Sequence, residues 1–212
     1  MFTTLPEQRS DSEQSEKSSS CSEHLQDVDF TRKSRWTDFE LEVEGKSLYV
    51  PKSHLAMVSP VLWMMFKSDF KEKDADVLPL PDKKYEDVLT FLKCTHPGDL
   101  IKVAYNMVPK VLPLAHEYQV KWLLNDCTIV MMSELDVSRC PNGVTAEIVR
   151  KYCRICIMAE KYDLKSVISK FIQRVSSVGY RIYQDLTEFK QVSLEVRYSI
   201  VCGRLGSIDN KM

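Results

Sequence analysis

Cys153 and Cys156 form a Cys-x-x-C pair. That spacing can serve a metal or a dithiol couple. A tetrahedral zinc site, however, needs four ligands, and no second pair lies at zinc-site spacing. Both thiols also fall inside an amphipathic helical pattern, so they are expected to pack in a core. Cys94 and Cys127 sit among Phe91, Leu92, Leu123 and Leu124 and read the same way. The four histidines are isolated, with no His-x-x-x-His or His–Glu pair at helical spacing. Six glycines supply no phosphate-cradling loop and no Gly-x-Ser-x-Gly. Carboxylates are plentiful, but none is marked out as a pair in an apolar setting. The expectation is therefore no catalytic residue, no cofactor and no metal ligand. The chain is read as a protein that works through its surfaces and not as an enzyme.

The bulk properties agree. A chain of 212 residues, 44% hydrophobic and 28% charged, can build one or two packed domains. A net charge of -1 gives no field that would gather nucleic acid or an anionic membrane. Arg32, Lys33 and Arg35 make only a short basic spot, better suited to linker solubility than to DNA or nuclear import. No apolar run is long enough to span a bilayer. The first residues are polar and acidic and do not read as a secretion signal. Seven cysteines scattered through apolar segments fit free thiols in the reducing cytoplasm or nucleus.

Three segments are expected: a tail over 1–35, a mixed domain over 36–134 and a helical region over 135–212. Ser10 to Ser22 holds seven serines with Asp11, Glu13 and Glu16. Such a stretch cannot bury enough surface to offset its chain entropy and reads as disordered. Order is expected from Trp36. Phe39, Leu41 and Val43 alternate, Glu44-Gly45-Lys46 supplies a turn, and Leu48 and Val50 continue a second strand. Lys52 to Val58 reads as a short helix. Ser59-Pro60 then caps another, with Val61, Met64 and Met65 at helical spacing. Val77 to Leu80 suggests an edge strand. Asp82 is placed to cap a helix carrying Tyr85, Val88, Leu89 and Leu92, which ends at the His96-Pro97-Gly98-Asp99 turn.

The rest is helical. Pro113 would break a helix interior, so that helix is expected to start near Pro109 or Lys110. Leu114-Ala115-His116-Glu117-Tyr118-Gln119-Val120-Lys121 returns 44 residues later as Met158-Ala159-Glu160-Lys161-Tyr162-Asp163-Leu164-Lys165. Ala, Tyr and Lys recur in register, which predicts antiparallel helix pairs in both halves. One stripe runs through Ile148, Tyr152, Ile155, Cys156, Ala159 and Tyr162. Another runs through Leu164, Val167, Ile168, Phe171, Ile172 and Val175. Gly179 is a candidate C-cap. Ser193 and Glu195 open a last helix expected to end near Leu205.

The order hairpin, two short helices, strand, helix, turn and two helices resembles the BTB/POZ family. The likeness rests on Thr37-Asp38 through Lys46 for the opening strand, and on Pro51-Lys52 through Phe66 for the helical hairpin. Leu78-Pro79-Leu80-Pro81-Asp82 and Leu114 through Val120 add later landmarks. The region after about Asn142 resembles the BACK-like helical extension of many members, most of all those related to MATH–BTB adaptors. The resemblance implies an α+β BTB/POZ fold, a small sheet flanked by helices, followed by an all-α extension.

It also implies partners. Such domains usually dimerise, here with itself or another BTB protein. Asp38 and Lys52 match a charged pair beside the dimer interface, and His54 and Leu55 fall in the hairpin that faces the partner. His54 there would make the dimer pH-sensitive. Many members are adaptors for cullin-3 ubiquitin ligases and use a hydrophobic-x-Glu motif after the second hairpin helix. Phe70-Lys71-Glu72 stands at that place, and His96 replaces an aromatic near the cullin face. Phe70 would fill an apolar pocket and Glu72 anchor its rim. The chain carries no MATH, kelch or zinc-finger module, so its protein substrate is unnamed. The alternative is a dimerisation scaffold or a competitor of full-length relatives, without a ligase role.

Overall fold

The computed structural model describes residues 29–67, 75–96, 101–136 and 143–209. The tail expected to be disordered therefore lies almost wholly outside the described residues. Its last part does not match that expectation. Phe30 is buried in the core, and its carbonyl accepts the Tyr49 N–H at 2.8 Å. One large ring with a deep site outweighs the polar composition around it, so the ordered chain begins before Trp36.

Strands β1 (Phe39–Val43) and β2 (Lys46–Val50) form the expected antiparallel hairpin, with Phe39, Leu41, Val43, Leu48 and Val50 buried. Glu44 and Gly45 turn it with φ of 52° and 71°. This left-handed pair matches the twist of the two strands, and glycine takes it at no steric cost. Strand β3 (Val77–Pro79) runs parallel to β1, giving the order β2-β1-β3. Pro79, which has no N–H to donate, thus sits on an edge strand.

Helices α1 (Lys52–Val58) and α2 (Pro60–Lys67) pack on each other. The α2 stripe differs from expectation. Leu62 is buried and Met65 and Phe66 lean on the core, while Met64 is exposed. Helix α3 (Tyr85–Thr95) begins later than an Asp82 cap would require. Its N-cap position is Lys84, and its Tyr85 N–H goes to Glu44 Oε2 at 2.9 Å. The hairpin turn thus does the work assigned to Asp82.

Helix α4 (Val108–Glu117) follows one 3-10 turn over Tyr105–Met107. Pro109 lies in its first turn, but Pro113 is inside the helix and not near its start. The apolar face of Val111, Leu112, Leu114 and Ala115 outweighs the lost hydrogen bond. Helices α5 (Lys121–Glu134), α6 (Ala146–Lys161) and α7 (Lys165–Ser176) complete two antiparallel pairs, α4–α5 and α6–α7.

The 44-residue echo is a shared turn. Gln119 and Asp163 each close it with positive φ, 53° and 51°. Val120 N–H reaches back to Ala115 O at 2.9 Å, and Leu164 N–H to Ala159 O at 2.8 Å. Each is a helix C-terminus closed by a six-to-one bond. Both alanines are fully buried.

A second 3-10 turn (Tyr180–Ile182), helix α8 (Thr187–Gln191) and helix α9 (Leu194–Asp209) follow. Ser177, not Gly179, is the α7 C-cap, and Gly179 has an ordinary φ of -59°. The Ser193 hydroxyl caps α9 at Val196 N, 3.3 Å. That helix runs one turn past Leu205. At Gly203 an added Cβ would meet Ser176 Oγ at 3.0 Å, so glycine sets how closely α9 approaches α7. One continuous core spans sheet and helices.

Candidate functional site

The α1–α2 hairpin is held from outside itself. Pro51, the α1 N-cap residue, offers no side-chain cap. Asp38, just before β1, takes that part: its Oδ1 accepts the Lys52 backbone N–H at 2.7 Å. The carboxylate also sits at the positive end of the helix. The Lys52 ammonium lies 5.0 Å from the ring centres of both Phe39 and Phe66 and donates to Ala75 O at 3.4 Å. Asp38 and Lys52 are thus in contact through the Lys52 backbone N–H.

Ser59 joins the two helices. Its N–H returns to Leu55 O at 3.1 Å, and its hydroxyl accepts from Leu62 N at 3.1 Å. The same hydroxyl donates to Tyr118 O at 2.7 Å in the α4–α5 turn.

His54 and Leu55 are not where the partner-facing expectation put them. They are 7% and 1% exposed, enclosed by their own chain. The α1–α2 surface is made instead by Met57 (79% exposed), Trp63 (43%) and Met64 (52%), with the Lys67 ammonium 4.5 Å over the Trp63 ring. Sequence reading missed this patch because it placed Met64 on the buried stripe. The Leu62-Met65-Phe66 spacing was the available signal, since it leaves Trp63 and Met64 as an apolar excess outside.

Helix α2 ends at Lys67 and the described chain resumes at Ala75. Phe70 and Glu72 lie outside the described residues. His96 is the α3 C-cap, its N–H bonded to Leu92 O at 2.9 Å. Its ring stands 5.4 Å from His54 and edge-on to Phe30 at 5.6 Å. Burial, and then the neighbouring His96, push the His54 pKa below that of an ordinary histidine.

Among the described residues Cys94, Cys127, Cys153 and Cys156 are buried in the core, while Cys202 is exposed. Burial raises Cys94 to about 11, and Cys127 and Cys153 to about 12. Burial raises Cys156 further still, with Glu160 adding to the shift. A neutral buried thiol is a small apolar side chain and a poor nucleophile. Among the described residues no three His, Cys, Asp or Glu side chains are grouped to hold a metal. A groove of about 410 Å³ has Pro109, Pro113, Ile157 and Met158 in its wall and Arg154 and Lys161 beside them. It offers contact surface.

The BTB/POZ domain family model matches residues 28–135, about half of the chain. The chain belongs to the BTB/POZ domain family. The match also begins ahead of Phe30, the first core residue. Among relatives, the BTB and MATH domain-containing protein 38 of Caenorhabditis elegans is 26% identical over 100 residues, covering 47% of this chain and 26% of that protein. The Armadillo BTB Arabidopsis protein 1 of Arabidopsis thaliana is 22% identical over 154 residues, covering 69% of this chain and 21% of that one. The chain thus spans about a quarter of the length of these relatives. The solved BTB domain of human Gigaxonin is 19% identical with a TM-score of 0.38, over 44% of this chain and 76% of that structure. The BTB/POZ domain is a protein-interaction module, and here a helical region follows it. Among the described residues no helix is long and apolar enough to cross a membrane.

Proposed function

We propose that this BTB protein is a dimeric adaptor that brings a protein substrate to a cullin-3 ubiquitin ligase. In this reading residues 36–134 carry the contacts with the second copy and the cullin, and residues 135–212 form a BACK-like extension. The observation that carries it is positional. In sequence, Phe70-Lys71-Glu72 begins three residues after the last residue of α2, whose outer face exposes Trp63 and Met64. An aromatic anchor beside a rim carboxylate is the arrangement of an interface hot spot. His96 is the third residue of the proposed cullin face. Asp38 and Lys52 set the pose of the hairpin whose exposed side meets the second copy.

Affinity purification with mass spectrometry tests this. Wild type should retain the cullin, and Phe70→Ala with Glu72→Lys should lose it while the dimer persists. A wild-type chain that never retains the cullin overturns the adaptor reading. That result would leave the second reading, a BTB scaffold or competitor without a ligase role. The Met57, Trp63 and Met64 patch is common to both readings, because an apolar patch on a paired hairpin suits self-association whether or not a cullin binds.

A further inference from the structure

Residues 29–38 form a strap that meets the free edge of β2 at Phe30. The Tyr49 N–H, turned away from β1, bonds the Phe30 carbonyl at 2.8 Å, and the Phe30 ring is buried against His96. Behind His96 lies His54, and its Nε2 is buried without a hydrogen-bond partner among the described residues. A strap, an imidazole at a helix end and a second imidazole are therefore stacked in that order, with the innermost polar nitrogen unsatisfied.

We propose that the His54–His96 contact makes the Phe30 strap an acid-sensitive latch, closed while His54 is neutral and opened by proton uptake there. An imidazolium at His54 would be a buried charge whose Nε2–H has no acceptor among the described residues, with the His96 ring 5.4 Å away. In the open strap the same ring is hydrated and takes a proton as an ordinary histidine does. Acid therefore favours whichever state uncovers His54.

The other charged groups at the junction do not offset this. On the strap, Asp29 is committed to Thr31, whose N–H and hydroxyl it accepts at 3.0 and 2.6 Å, and it pairs with Arg32. On α3, Lys93 acts on Asp29 and would only repel a cation. On α1, the Lys52 ammonium is turned to the Phe39 and Phe66 rings. The lowered pKa of His54, with burial as its first cause, agrees. The switch lies within one protomer and requires neither a cullin nor a dimer contact.

Hydrogen exchange by NMR on the full chain between pH 7.5 and 5.5, corrected for intrinsic exchange, tests the latch. The Tyr49 amide reports the strap, and the Val120 amide reports the core. Below an ordinary histidine pKa, Tyr49 opening should grow by up to about tenfold per pH unit while Val120 stays protected. His54→Leu should hold Tyr49 closed across the range. A pH-independent Tyr49, loss of Val120 protection in parallel, or an unchanged acid response in His54→Leu would each overturn the proposal. Should His54→Leu not fold, the comparison of Tyr49 with Val120 in wild type decides it alone.

Discussion

The Ser59 hydroxyl donates to the Tyr118 carbonyl at 2.7 Å, across 59 residues of sequence, while accepting from Leu62 N. One buried side chain thus caps α2 and ties the interaction hairpin to the α4–α5 turn. Ser59→Ala removes both bonds and leaves a buried N–H and a buried carbonyl without this partner. Unmet buried groups cost about 1–3 kcal/mol each when water cannot reach them, and a lost N-cap alone costs about 1 kcal/mol. Urea unfolding should therefore show a loss of about 2–3 kcal/mol. A loss under 0.5 kcal/mol would mean the hydroxyl is idle.

Gln119 and Asp163 hold left-handed φ in equivalent turns. Glycine adopts that conformation without strain, so Gln119→Gly and Asp163→Gly should each be neutral or stabilising, by up to about 1 kcal/mol. Gln119→Val and Asp163→Val should destabilise, because a β-branched residue resists φ above zero. Thermal unfolding of the four variants checks both signs. The two sites should behave alike if the turns are equivalent.

Much of this was legible in the residues. Strict alternation from Phe39 to Val43 and from Leu48 to Val50 sets both strands, because a period of two has one reading when a face is buried. The Ala–Tyr–Lys echo marks both turns. Three features were not legible, each for a tertiary reason. Asp82 has the right chemistry for a cap, but Glu44 on the hairpin reaches the α3 N-terminus instead. Pro113 reads as a breaker, and the four buried residues around it hold the helix together. His54 and Leu55 lie in the right helix for a partner contact, but spacing alone did not say which side faced inward. The core claimed them and left Met57 and Trp63 outside.

The raised thiols predict alkaline sensitivity. Cys127 and Cys153 stay protonated in the folded chain up to about 12, against 9.0 for an ordinary thiol. Between those values the unfolded chain has lost protons that the folded chain keeps. Stability is therefore full below pH 9 and falls as pH rises through that window. Chemical unfolding at pH 7.5, 9 and 10 should show the decline. At neutral pH a thiol reagent should label exposed Cys202 quickly and leave Cys94, Cys127, Cys153 and Cys156 unlabelled until the protein unfolds.

The exposed hairpin patch predicts where self-association can be broken. Met57, Trp63 and Met64 project from α1 and α2, and their side chains make no part of the core. Adding a charge there disturbs little in the protomer but places an ion in any apolar contact with a second copy. Met57→Glu with Trp63→Glu should shift the chain towards monomer in sedimentation velocity, weakening association at least tenfold, with unchanged circular dichroism. Leu55→Ala should act differently. That side chain is sealed inside, so its loss should cost about 2–5 kcal/mol of folding stability. A double variant that stays fully associated would move the contact off this hairpin. An unfolded one would show that the patch packs against something within its own chain.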